Sequence, residues 1–223
     1  MTTTSPEQPP ADEPPAPLHP NLRHLPVGRR IEARVDFGGW ATFPYEFDTP
    51  PRIRVLDEPT LPEPPRLGEP GGGECPSCAT EDADQLWTDE LWRLHPLREP
   101  SASPVVLLLE PRVHCDLADL PARESAQLGP LLQRVERAML GLGGVGRVHV
   151  IRWGDGGSHL HWWFLARPAG MMQLRGAFMM VWDDVLPAID PETWQANLAQ
   201  VAESMAAEGG TAYPWPRQES GPH

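Results

Sequence analysis

Polar and apolar residues alternate along Arg30-Ile-Glu-Ala-Arg-Val-Asp-Phe37, the signature of a half-buried strand, and Pro51–Leu56 reads as its partner. Leu86–Leu94 is apolar and predicts a strand, although its two spaced tryptophans also suit a short helix. Val105–Glu110 is the longest apolar run with its closing acid, and it predicts a buried strand leading into Pro111-Arg112-Val113-His114. The period then becomes helical across Pro121–Leu140, where Leu128, Leu131, Leu132, Val135, Ala138 and Met139 recur on one face. Pro130 marks a bend in that helix, and Gly141–Gly146 ends it. Arg147–Trp153 alternates as a strand, Gly154–Gly157 is a turn, and Ser158–Arg167 returns as a second strand. A last helix starts at Asp190-Pro191-Glu192, which supplies a cap, a fixed φ and an acid in the first turn. It runs to about Ala207 and stops at Gly209-Gly210. Strands and helices together predict an α+β domain.

Composition divides the chain. Residues 1–26 carry eight prolines and no aromatic residue, which predicts a disordered Pro-rich tail. Residues 27–73 read as an N-terminal β extension followed by a Pro/Gly linker over 59–73. Residues 74–210 form the main domain, and 211–223 a flexible C-terminal tail. All 18 basic residues are Arg, a composition that fits a high-GC bacterial genome. The formal charge of −13 argues against general nucleic-acid binding, which needs a basic face, but not against a small phosphorylated ligand. The N-terminus shows no basic region followed by an apolar one, and no apolar run approaches the ~20 residues of a membrane span. The expectation is a cytoplasmic protein without membrane association.

Three cysteines do not make a secreted disulfide framework, so Cys75-Pro-Ser-Cys78 reads as metal or redox chemistry, or as two plain thiols. Two thiolates at this spacing can face one tetrahedral ion. Two more ligands would close a structural site, and His114, His159, His95 and His149 compete for those places. The most informative segment is Ser158-His-Leu-His-Trp-Trp-Phe-Leu-Ala-Arg167. In a strand, His159, His161, Trp163 and Leu165 would share one face, with Leu160, Trp162 and Phe164 turned to the core. Two imidazoles on a buried strand need partners, and a metal and a phosphate would satisfy them.

The order Cys-x-x-Cys, strand-Pro-x-x-His, helix, strand, Gly-rich turn and His-x-His strand ending near Arg resembles the zinc-bearing branch of the histidine-triad (HIT) superfamily. The resemblance spans roughly Cys75–Arg167. It implies a HIT-like antiparallel sheet with packed helices and a structural zinc held by Cys75, Cys78, His114 and His159. It also implies that His161 attacks the α-phosphorus of a nucleotide and carries a covalent nucleotidyl intermediate, as in HIT hydrolases and hexose-phosphate uridylyltransferases. A nucleotide or other phosphorylated small molecule would be the partner, and copies of such a chain pair as homodimers. The third triad position, His or Gln in the family, is Trp163 here.

Arg152, Ser158, Trp163 and Arg167 are the candidate substrate contacts, with Arg112 and Arg175 as further guanidinium donors. Trp153 and Trp163 could clamp a planar group. Two other readings are open. One is a zinc-stabilised binding module that has lost catalysis, and the other an enzyme repurposed to a non-nucleotide substrate.

Overall fold

A computed structural model describes residues 57–215, so the two strands expected over 30–37 and 51–56 and the N-terminal tail lie outside the described residues. The chain divides into two compact units. Of the first, only residues 57–62 are described; the sheet and its helices belong to residues 63–215 of the second.

Six antiparallel strands form one sheet in the order β4-β5-β3-β2-β1-β6. They are β1 (Trp87–Thr88), β2 (Trp92–Pro96), β3 (Val106–Pro111), β4 (Val145–Ile151), β5 (Trp162–Pro168) and β6 (Thr211–Ala212). The helices are α1 (Pro76–Ala79), α2 (Ala122–Leu140), α3 (Met179–Val185) and α4 (Pro191–Ala207). Among the described residues the α+β class is as the hydrophobic pattern predicts.

The two faces of the sheet are covered differently. Trp92, Leu94, Leu107, Leu109, Phe164 and Ala166 pack against Leu131, Val135 and Met139 of α2 and Trp194, Leu198 and Met205 of α4. On the opposite face Val106 and Leu165 lie under Met179 of α3, with Ile151 and Trp163 at the margin. β3 is covered on both faces, which explains why its sequence reads as a continuous apolar run rather than an alternation. α4 begins where the sequence places it: the Asp190 carboxylate accepts from Thr193 N–H at 3.0 Å, with Pro191 at the first helical position. α2 runs unbroken through Pro130, whose ring sits on the exposed side of the helix, where water can satisfy the carbonyl it leaves unpaired.

Four elements differ from expectation. The stretch Leu86–Leu94 is a hairpin instead of one strand, because the Asp89 carboxylate accepts from Leu91 N–H and Trp92 N–H at 2.8 and 2.7 Å and turns the chain. The strand expected from Ser158 begins only at Trp162; Leu160 N–H donates instead to Cys115 O at 2.8 Å, pulling residues 158–161 toward the loop after β3. Thr211–Ala212, expected as tail, pair with β1 as a sixth strand. Trp87 lies against Gly210 so closely that a Cβ there would sit 2.5 Å from the indole, and Trp87 Nε1–H donates to Gly209 O at 2.9 Å. α3 was not foreseen, since seven residues give too short a period to read.

Candidate metal centre and the His161 site

The sheet end where β3 finishes and β5 begins gathers several loops. Cys75 caps α1 and Cys78 lies within it, so one helical turn sets both sulfurs on the same side. The turn is tied to the sheet from two directions: Ser77 Oγ–H donates to the Glu110 carboxylate at 2.9 Å, and Arg93 donates to Ser77 O at 3.1 Å. His114 follows β3, and His159 precedes β5.

The ligand-capable atoms of Cys75, Cys78, His114 and His159 all lie within 4.8 Å of one another. Cys78 Sγ is 3.3 Å from His114 Nδ1 and 3.6 Å from His159 Nδ1, and Cys75 Sγ is 3.5 Å from His159 Nδ1. Sulfur and nitrogen ligands on one tetrahedral zinc stand about 3.5 Å apart, given Zn–S near 2.3 Å and Zn–N near 2.0 Å. The spacing therefore fits. His95 and His149 lie outside this cluster.

The outer nitrogens settle the tautomers. His159 Nε2 is 2.8 Å from Pro111 O, a pure acceptor, so Nε2 carries the proton and Nδ1 presents its lone pair to the sulfurs. His159 is buried, and burial holds its imidazole below the usual 6.5, in the neutral form a ligand requires. His114 Nε2 is 3.3 Å from Ser158 Oγ, whose own hydrogen goes to Leu67 O at 3.1 Å, so the His114 proton also points away from the cluster. Burial and the adjoining Cys75 sulfur push the Cys78 thiol up to about 11. Two sulfurs side by side favour a cation between them.

The expected linker packs here as well. Leu67 N–H donates to Gly156 O at 3.1 Å and Leu67 O accepts from Ser158 N–H at 2.9 Å, a parallel pairing beside the Gly154–Gly157 turn. Gly68, at φ +90°, passes over the cluster; a Cβ there would stand 2.7 Å from His114 Cε1 and 2.8 Å from Ser158 Oγ. Arg66 donates to Asp116 at 2.9 Å, to Gly154 O at 2.7 Å and to Glu69 at 2.7 Å, and Arg152 reaches the other oxygen of Asp116. Within a Pro/Gly run, no signal sets Gly68 apart from its neighbours. Glu110 could have been noticed: an acid closing a buried apolar strand needs partners, and it has them in Ser77 and in His95 at 3.4 Å.

His161 is half-buried, and its Nδ1 is 2.9 Å from the carbonyl of His159. That oxygen can only accept, so Nδ1 holds the hydrogen and Nε2 is left with its lone pair. Trp163 stands beside it, ring centroids 6.2 Å apart, and Trp153 meets Trp163 edge-on at 5.7 Å. Trp153 is exposed, so the pair forms an aromatic margin near the imidazole.

The remaining candidates are placed elsewhere. Ser158 lies against His114, its Oγ 3.3 Å from Nε2. Arg152 is paired with Asp116, and Arg112 with Asp82 through both terminal nitrogens at 2.8 and 2.6 Å. Arg167 is buried and donates to Pro168 O and Met171 O at 3.1 and 3.2 Å. Six residues along an extended chain from His161, it stands roughly 20 Å away and cannot share a phosphate with that imidazole. Arg175 is exposed on the loop before α3.

No family model matches the chain, and no curated protein matches it. Solved structures do. A histidine triad protein from Bradyrhizobium japonicum is 22% identical at a TM-score of 0.45, covering 54% of this chain and 88% of that one. A zinc-bound histidine triad family protein from Mycobacterium smegmatis is 21% identical at 0.41, covering 59% and 92%. A hypothetical histidine triad nucleotide-binding protein from Sulfolobus tokodaii is 15% identical at 0.45, covering 60% and 93%. Among the described residues, the fold and donor set define an α+β domain with a Cys2His2 cluster able to hold a metal ion.

Proposed function

We propose that this chain is a histidine-triad-type nucleotidyl hydrolase or transferase, with structural zinc on Cys75, Cys78, His114 and His159 and His161 as nucleophile. One observation carries the reading: the His161 Nδ1–H bond to the carbonyl of a ligand residue, His159, at 2.9 Å. The bond fixes the tautomer, leaves Nε2 nucleophilic, and links the ring to a peptide that the metal cluster would anchor. Bound zinc would supply rigidity, tying together the Cys75–Cys78 turn and the segments that carry His114 and His159, and would take no part in bond making.

The chain's own residues perform the rest. His161 Nε2 forms a bond to the α-phosphorus as the bond to the leaving group breaks, and the Nδ1 hydrogen stays with the His159 carbonyl, which stabilises the charged ring. Water or a second substrate then takes the nucleotidyl group and returns the electron pair to Nε2. Trp153 offers an exposed indole on which a base can stack.

A second reading is favoured by the arginines: Arg152 and Arg167 already bind partners within the protein, Arg152 through Asp116 and Arg167 through Pro168 O and Met171 O, and are not held free for a phosphate at His161. On that reading the chain binds a ligand without turning it over. Incubating the full chain with α-labelled nucleotides separates the two. Label recovered on His161, and abolished by His161→Ala, supports catalysis; ligand binding that His161→Ala leaves intact, with no label in the parent, supports the binding module.

A further inference from the structure

The structure bears on the leaving group. Among the described residues, the titratable side chains of β2, β3 and β4 and of the adjoining turn are engaged or remote from the start of β5; Arg93, opposite Glu110, donates to Ser77 O at 3.1 Å. Glu110, one residue beyond the Leu109–Trp162 pair, is held by Ser77 and His95. His95, opposite Leu108, has Nδ1 at 3.1 Å from Pro96 O and Nε2 at 3.4 Å from Glu110. His149 lies opposite Leu165, three residues and roughly 10 Å into β5 from Trp162, and its Nε2 is buried. Arg152 is bound to Asp116. The place next to His161 belongs to Trp163, whose one polar atom, Nε1, is buried without a hydrogen-bond partner. An indole N–H donates hydrogen bonds but transfers no proton at neutral pH.

Resting on the reading of His161 as nucleophile, we propose that Trp163 is a specificity-determining residue that confines the reaction to leaving groups departing as stable oxyanions, phosphate or diphosphate, and excludes amines. When His161 Nε2 attacks a nucleoside polyphosphate, the N–P bond forms, the P–O bond breaks, and its electron pair stays on the departing phosphate, which needs no proton. A phosphoramidate would have to release its nitrogen with that electron pair, and an amide anion is too basic to leave unprotonated. A positioned acid contributes on the order of 100- to 10,000-fold in such a step. Among the described residues no such acid stands beside His161, and that separates the two substrate classes by that factor.

The test uses the full chain, the four nucleoside triphosphates labelled at the α-phosphorus, and the four matching nucleoside 5′-phosphoramidates. The expected result is labelling of His161 by at least one triphosphate, with its phosphoramidate counterpart at least about 100-fold slower. Trp163→His should then raise the phosphoramidate rate about 10-fold or more while changing the triphosphate rate much less. Comparable labelling from both classes in the parent chain overturns the inference and leaves the nucleophile in place. A folded Trp163→His that keeps the full preference overturns the assignment to Trp163. No label from any of the eight compounds removes the underlying reading, and the inference with it.

Discussion

Between the sheet and helices α2 and α4, Leu94, Leu107, Leu109, Phe164, Leu131, Val135, Leu198 and Val201 form one apolar layer with nearly no exposed surface. At the end of the same sheet, Cys75, Cys78, His114 and His159 bring loops together around polar atoms, two of them on exposed residues. The first region is held by removing hydrocarbon from water, a force that is spread over many side chains and is indifferent to any one of them. The second depends on a few groups meeting at one point, and it has little burial to fall back on. Stability and site geometry in this protein should therefore be separable properties.

The sharpest way to break that comparison is to withhold the ion. Chelation, or Cys78→Ser, should abolish zinc binding, whose apparent free energy in small structural sites is of order 10 kcal/mol. Hydrogen exchange should rise around residues 66–78, 111–116 and 154–161 while far-UV circular dichroism stays close to native. Collapse of the helical signal together with the loops would show that the two regions are one. The converse is Leu198→Ala, beneath the sheet and fully buried. It should lower unfolding free energy by about 2–5 kcal/mol in a denaturant titration and leave zinc stoichiometry at one.

Gly68→Ala probes the boundary more gently. The new methyl meets His114 and Ser158 at under 3 Å, at a positive φ, so we expect about 1–3 kcal/mol of local strain. Zinc affinity should weaken roughly 10- to 100-fold, the usual cost of disturbing an outer shell. Global melting should hardly move. The smallest effect is that of pH on the Asp82–Arg112 pair. The Arg112 guanidinium holds the Asp82 carboxyl below its usual 3.8, so this pair's contribution is intact above that value and is lost as pH falls through the lowered one. Because Asp82 is partly exposed, comparing Asp82→Asn with the parent chain should show a modest stability difference at pH 6 that shrinks below pH 3.8.

The apolar layer was legible because each of its elements repeats a short period over enough residues: the six positions named on α2 and the run in β3 both read directly. The hairpin at Asp89 escaped because one side chain accepting two backbone N–H groups outweighs a continuous apolar pattern. The four sulfur and nitrogen donors were legible as chemistry, since the residue types and their order are unusual. Their supports were not. Gly68, Leu67 and Arg66 act through backbone shape and a single long side chain, and these leave no periodic trace. The arginines are ambiguous in sequence: guanidinium chemistry suits a phosphate, but it suits Asp82 and Asp116 equally, and only coordinates tell which carboxylates are within reach.

The pairing of Leu67 with the 156–158 turn bears on how a shortened version of this protein should be cut. Composition suggests starting at Glu74, just ahead of the first cysteine, and such a fragment would retain all four donors. It would also lose the strap that gives Ser158 its acceptor and passes close to the His114 ring, so its metal would be bound loosely and exchange quickly. A fragment opening at Glu63 keeps the strap, and should match the intact protein in zinc affinity.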